Sequence, residues 1–136
     1  MNPSPLTPAT HIRLARPSLN LRATEHFYTA GLNLSVLYRH DSVGEEASLL
    51  MLGLRGAAWH LELTHLATRS VLPTPTEDDL LVLYLGRPVE PSVIQHFTEC
   101  GGTHVPALNP YWDTYGVTIQ DPDGYCLVLC RQEWTV

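Results

Sequence analysis

An order of structural elements that occurs twice is the feature that most constrains the fold of this 136-residue chain. Each half contains an apolar or alternating strand segment, then a helical segment, then three more strand segments. The predicted strands cover residues 11–17, 34–39, 48–54 and 58–64 in the first half, and 80–85, 103–107, 116–120 and 125–131 in the second. Both helices also share one spacing, Phe27-x-x-x-Gly31 and Phe97-x-x-x-Gly101. The pattern predicts a tandem repeat of a small α+β unit within one domain.

Local signals set the boundaries of the two predicted helices and of one turn. Asn20 is suited to cap the first helix, and Gly31 is expected to end it in the left-handed conformation. Pro91 suits the first turn of the second helix, which residues 101–102, both glycine, should end. The Asp-Pro-Asp-Gly sequence at 121–124 lacks the ligand spacing of a calcium loop and predicts a tight turn.

Composition excludes several classes of chemistry. All eight basic residues are arginine, so no lysine is available for a Schiff base, for pyridoxal-phosphate catalysis or for a phosphate-binding loop. The net charge is −6 and the arginines form no cluster, which argues against a nucleic-acid partner. No apolar run approaches the ~18 residues of a membrane span.

The N-terminal segment and the cysteines indicate the cellular compartment. Residues 1–10 form a proline-rich tail, expected to be flexible, without the basic and apolar stretches of a signal peptide. The three cysteines, Cys100, Cys126 and Cys130, are an odd number and form no CxxC pair. Cys126 and Cys130 lie four residues apart on a predicted strand, too far apart for a disulfide. We therefore expect reduced thiols and a cytoplasmic location.

Several motifs resemble the vicinal oxygen chelate superfamily, which includes glyoxalases, bleomycin-resistance proteins and extradiol dioxygenases. The motifs are Phe27-Tyr28-x-x-Gly31-Leu32, His-Leu-Glu-Leu-Thr at 60–64 and Asp-Pro-Asp-Gly-Tyr at 121–125. Other segments resemble one bacterial branch of this superfamily. The resemblance implies two βαβββ modules, about 11–68 and 78–133, whose sheets curl into a cup. Residues 11–136 would then form a single glyoxalase-like domain, and the resemblance also suggests a homodimer.

The resemblance further implies four metal-ligand positions, one on the first and one on the last strand of each module. They fall on Arg13, Glu62, either Leu80 or Val82, and Val128. Arginine cannot bind a metal ion and the aliphatic residues offer no donor atom. We therefore expect no metal or other cofactor, and metal-free binding of a small organic molecule in the cup.

The alternative is a divalent-metal-dependent lyase, isomerase or dioxygenase that uses Glu62 with a histidine, of which His60 is the nearest candidate. Whether the chain is an enzyme is left open by the sequence, and Glu62 and His60 are the candidate catalytic residues. Arg13 and Glu62 should project to one side of neighbouring strands and pair with each other, either to hold a ligand or as a structural ion pair. His60 shares the strand face of Glu62 and is either a ligand contact or a satisfied, partly buried histidine.

Aromatic residues supply the remaining candidates for the pocket. Asn109, Tyr111 and Trp112 are expected in a loop between two strands, where they suit the mouth of a small-molecule pocket. The same residues could cover the edge of the core or contact a second subunit. Tyr84 lies on a predicted buried strand and can line the cup or take part in ordinary sheet packing.

Overall fold

The computed structural model describes residues 3–42, 47–67 and 71–136, and it contains the predicted repeat. The elements in chain order are β1 Ile12–Pro17, α1 Leu21–His26, a π-helical turn Phe27–Gly31, β2 Ser35–His40, β3 Ser48–Gly53, β4 Trp59–His65, β5 Leu80–Tyr84, α2 Pro91–Glu99, β6 Thr103–Val105, α3 Pro110–Tyr115, β7 Gly116–Gln120 and β8 Cys126–Cys130. None of the helices in the described parts of the chain is both long and apolar enough to cross a membrane.

The two modules share one topology. The first sheet has the strand order β1-β4-β3-β2 and the second the order β5-β8-β7-β6. In each sheet the first and last strands of the module pair in parallel, and the other neighbours are antiparallel. A parallel pair needs a long crossover, which the helix and the intervening strands of the module provide. The prediction of two βαβββ modules is confirmed.

One hydrophobic core joins the two modules. Leu61 and Leu63 of β4 belong to the same buried cluster as Leu127 and Leu129 of β8. Because side chains alternate along a strand, the residues between these leucines lie on the opposite face of each sheet. We call these the outer faces. The outer faces carry the candidate site residues His60 and Glu62 in the first module.

The turn predicted at 121–124 is present and fastens the second module to the first. Gly124 N–H donates to the Asp121 carbonyl oxygen over 2.9 Å, and Gly124 has a φ of +91°. The buried Tyr28 hydroxyl donates to Asp121 Oδ2 over 2.7 Å. Asp123 accepts from the backbone N–H of Leu19 and from the hydroxyl of Thr24. The acidic side chains of this turn therefore serve as acceptors for groups of the first module.

Two sequence predictions about local structure are wrong. Gly31 has no positive φ; the left-handed residue is Asn33, with a φ of 64°. Gly31 instead allows a close approach, because a Cβ there would lie 3.2 Å from Cδ1 of Phe97. The predicted loop at 109–113 is largely helical, since Asn109 caps α3 and a proline occupies its first turn.

The strand predicted at 103–107 ends earlier, at Val105. The predicted turn after β2, at 41–44, falls partly outside the described residues.

Candidate functional site

A charged pair lies on the outer face of the first sheet. The parallel register of β1 and β4 places Arg13 beside His60, and Arg13 reaches along the strand to Glu62. Its Nη1 lies 3.1 Å from Glu62 Oε2, so the predicted contact is present. The Arg13 side chain is 51% exposed and that of Glu62 only 14%. Solvent at the arginine screens the pair, so we expect it to contribute about 1 kcal/mol or less to stability.

His60 links this pair to His11, a residue to which the sequence assigned no role. Arg13 Nε donates to His60 Nε2 over 3.0 Å, so that nitrogen must be an acceptor. In the neutral ring the hydrogen then sits on Nδ1, which lies 2.6 Å from His11 Nε2. Burial, together with the charges of Arg13 and His11, lowers the pKa of His60. Both nitrogens of a neutral His60 are thus engaged. The sequence indicated this contact only through the position of His11, which immediately precedes β1 and lies on the same strand face as Arg13.

The superfamily's metal chemistry requires donor atoms that these positions do not supply. The carboxylate of Glu62 is paired with a guanidinium. On the second sheet Val82 lies opposite Val128 in the parallel register, and both are aliphatic. In the described ranges no cluster of three or more His, Cys, Asp or Glu side chains has a geometry that could hold a metal. The residues present do not fit the four-ligand metal site of the superfamily.

A cavity of about 460 Å³ lies on the outer face of the second sheet. This volume is within the range of small-molecule sites. Its floor contains residues of β5, β7 and β8, and α3 with the segment before it covers one side. The lining residues are Glu77, Asp78, Leu80, Val105, Pro106, Ala107, Leu108, Asn109, Trp112, Thr118, Gln120 and Cys126.

Aromatic side chains surround Trp112 at this cavity. The ring centroids of Tyr84 and Tyr111 lie 6.4 and 5.0 Å from that of Trp112, both edge-to-face. The Tyr111 hydroxyl donates to Gln132 Oε1 over 3.0 Å. Asn109 accepts from Tyr111 N–H as the cap of α3. Of these four sequence-predicted residues, Asn109 and Trp112 line the cavity, and the two tyrosines hold Trp112 in place.

Two further lining residues were not singled out as site residues by the sequence. Thr118 is 1% exposed, and within the described residues its hydroxyl has no hydrogen-bond partner. Cys126 is a free, buried thiol whose pKa is raised, first by burial and then by Asp121, Asp79 and Glu77. A raised pKa keeps the thiol protonated at neutral pH, so Cys126 is poorly suited to act as a nucleophile. In the sequence, Thr118 was visible only as a polar residue between two apolar ones on β7.

The predicted site residues therefore form two groups rather than one pocket. Arg13, His60 and Glu62 lie on the outer face of the first sheet, and Asn109 and Trp112 lie at the cavity on the second. Within the described residues no hydrogen bond, ion pair or ring contact joins the two groups.

The two paired βαβββ modules are the fold of glyoxalase/bleomycin-resistance-like proteins, and they place this protein in the vicinal oxygen chelate superfamily. Glyoxalase I of Leishmania major has the same fold, with a TM-score of 0.67 and 18% identity over 88% of this chain and 84% of that one. The antibiotic-binding protein TnmS3 from Streptomyces sp. CB03234 aligns with a TM-score of 0.60 and 18% identity, over 94% and all of the respective chains.

The family within this superfamily follows from the sequence. Residues 12–64 match the model of the YycE-like N-terminal domain, and residues 78–131 match that of the YycE-like C-terminal domain. Protein YycE of Bacillus subtilis is 38% identical over 126 residues, which is 92% of this chain and 90% of that protein. Its crystal structure superposes with a TM-score of 0.83 at 35% identity, covering 93% of each chain. The chain belongs to the YycE-like family.

Proposed function

We propose that this protein binds a small organic molecule on the outer faces of its sheets without a metal ion. The cavity beneath α3 carries the proposal, because its walls are mainly apolar and only a few polar groups face into it. That combination is typical of sites that hold a small molecule. The pairing of Arg13 with Glu62 supports the absence of a metal, since it engages the one retained ligand position.

The similarity to TnmS3, described as an antibiotic-binding protein, is compatible with a binding function. At 18% identity it supports the fold alone, so the ligand must be inferred from this chain's own residues. No described residue at the cavity has the properties of an activated nucleophile, and Cys126 has a raised pKa. Binding is therefore better supported than catalysis.

The first test is a thermal-shift screen of small organic compounds, followed by measurement of Kd. Trp112→Ala should weaken binding of a hit at least about ten-fold, because it removes a large aromatic contact from the cavity wall. Trp112→Phe should lose less. Trp134→Ala is the matched control, since Trp134 is 63% exposed and does not line the cavity. If no compound binds, or if both tryptophan variants behave alike, the proposal is wrong.

The same purified protein tests the metal-free part of the proposal. Elemental analysis should find no stoichiometric Mn, Fe, Ni, Co or Zn, and a chelator should leave the Kd of a hit unchanged. A guanidinium at a ligand position repels a divalent cation. A bound ion in contact with Glu62 and His60 would contradict this expectation and favour the metal-dependent alternative.

We also propose that the protein is a homodimer. Apolar side chains on the edge strands are exposed in a single chain, including Ile12 and Leu14 on β1 and Tyr38 on β2. Exposed apolar edges are a liability that an interface with a second copy would remove. Such an interface could also bring the two groups of site residues together from different chains.

Light scattering checks this expectation. It should give about twice the chain mass of 15.2 kDa at micromolar concentration. A monomer under those conditions would count against the dimer.

A further inference from the structure

We propose that the cavity beneath α3 takes a planar organic cation, with its hydrogen-bonding group on the Thr118 hydroxyl and its charge beside Glu77 and Asp78. This inference rests on the proposed function, because it names the class of ligand for the same site. It is carried by two independent observations, an unpartnered buried hydroxyl and the charge of the cavity rim.

Thr118 provides the polar contact at the inner end of the cavity. The residue is 1% exposed, and among the described residues its hydroxyl has no hydrogen-bond partner. A buried hydroxyl without a partner destabilises the folded state, so it is seldom retained without a use. The register explains its place, since Thr118 lies between Val105 and Val128 on the floor of the cavity. A ligand that reaches this floor would give the hydroxyl its missing hydrogen bond.

Glu77 and Asp78 set the charge at the outer end. Both are exposed, whereas Thr118 is buried, so the carboxylates lie nearer the entrance. The described lining residues include these two acids and no arginine or histidine. The negative charge of Glu77 also influences the buried part of the cavity, because it contributes to the raised pKa of Cys126. An entrance with only negative charge favours a cation over an anion.

The rest of the cavity lining is mainly apolar and favours a planar body. Leu80 and Val105 line the cavity from strands β5 and β6 of the second sheet, and Trp112 lines it from α3. Tyr84 and Tyr111 pack edge-to-face against Trp112 and fix its ring. An aromatic wall of this kind contacts a flat ring well and attracts a cationic group.

Four probes of nearly the same shape test the two ends separately. They are 4-hydroxybenzamidine, 4-hydroxybenzamide, 4-hydroxybenzoate and benzamidine, and Kd is measured by NMR titration. We expect affinity to fall in the order cation, neutral amide, anion among the three hydroxy compounds. The double variant Glu77→Gln, Asp78→Asn should reduce the cation's advantage over the anion by about ten-fold. Glu99→Gln on the exposed face of α2 is the control and should leave the order unchanged.

Thr118→Val tests the inner contact with two readouts that move in opposite directions. Binding of 4-hydroxybenzamidine should weaken about five-fold, whereas benzamidine, which lacks the hydroxyl, should be little affected. The Tm of the free variant should rise by roughly 2–5 °C, because an unpartnered hydroxyl is replaced by a methyl group of similar size. In the control Thr98→Val, the lost hydroxyl donates to the Ile94 carbonyl, so the Tm should not rise.

Each failure has a distinct meaning. The inference is overturned if the anion binds as tightly as the cation, if none of the four probes binds, or if Thr118→Val lowers the Tm or leaves binding of 4-hydroxybenzamidine unchanged. In those cases the proposed function still stands if the compound screen yields ligands that depend on Trp112. If that screen yields no ligand, the proposed function itself is wrong.

Discussion

Asp121→Ala is expected to lower the free energy of unfolding by about 3 kcal/mol, a large fraction of the stability of a domain this size. Asp121 Oδ2 accepts from the buried Tyr28 hydroxyl, and Oδ1 accepts from the backbone N–H groups of Asp123 and Tyr125. Alanine leaves all three donors without this acceptor, and one of them comes from the other module. Unfolding in urea, followed by circular dichroism, measures the loss.

Two variants separate the hydrogen bonds from the charge. Asp121→Asn should cost much less than Asp121→Ala, because the amide oxygen still accepts and the amide nitrogen can donate to the Tyr28 oxygen. Asp123→Ala should cost about 1 kcal/mol, since Asp123 is less buried and its carboxylate accepts from the Leu19 N–H and the Thr24 hydroxyl. If Asp121→Ala and Asp123→Ala cost the same, Asp121 does not have the special role assigned to it.

The pH dependence of Asp121→Asn follows from the same site. Burial is the largest effect on Asp121 and raises its pKa above the ordinary value of 3.8. The folded state therefore holds this proton more tightly than the unfolded state, and that contribution to stability is lost as pH rises from 3.8 through the folded pKa. The stability of Asp121→Asn relative to wild type should therefore increase from pH 3 to pH 7. A difference that does not change with pH would contradict this.

Gly116→Ala is expected to reduce stability by about 4 kcal/mol or to prevent folding. Gly116 is the first residue of β7, directly after α3, and lies opposite Cys130 of β8. An added Cβ would overlap the carbonyl oxygen of Leu129 and come within 3.1 Å of the Cys130 Cα. Both neighbours are backbone atoms of a buried strand, so the strain cannot be relieved by a rotamer change. The same displacement should move α3 and Trp112 away from the cavity.

Gly56→Ala is the control for this prediction. Gly56 has a φ of +88°, but a Cβ there would meet no atom within 4 Å. It should cost only the strain of the left-handed conformation, about 1 kcal/mol. Chemical unfolding of both variants checks the comparison, and equal losses would show that the contact with β8 is not the cause.

The sequence predicted the repeat because the signals for it are local. Alternation in residues 58–64, the proline at position 91 and the Asp-Pro-Asp-Gly turn each depend on neighbouring residues in the chain. The Arg13–Glu62 contact was also predictable, since both residues occupy motif positions on strands that pair in this fold. The helix at residues 110–115 was missed at the level of sequence because two aromatic residues after an Asn-Pro pair are equally compatible with a loop and with a helix. Their helix depends on the Asn109 cap and on packing against β7 and β8.

The order of elements and the absence of lysine chemistry were determined by the sequence alone, because they depend on residue types and spacing. The expectation that Arg13 and Val128 replace metal ligands also needed the resemblance to the superfamily. The tertiary structure decided how the site is distributed. It joined both sheets to one hydrophobic core, and it placed Arg13 on the outer face of the first sheet and Trp112 at the cavity on the second. It also left the Thr118 hydroxyl unpartnered at the cavity floor and brought His11 to His60. These are contacts between residues far apart in sequence, and local patterning carries no information about which of them form.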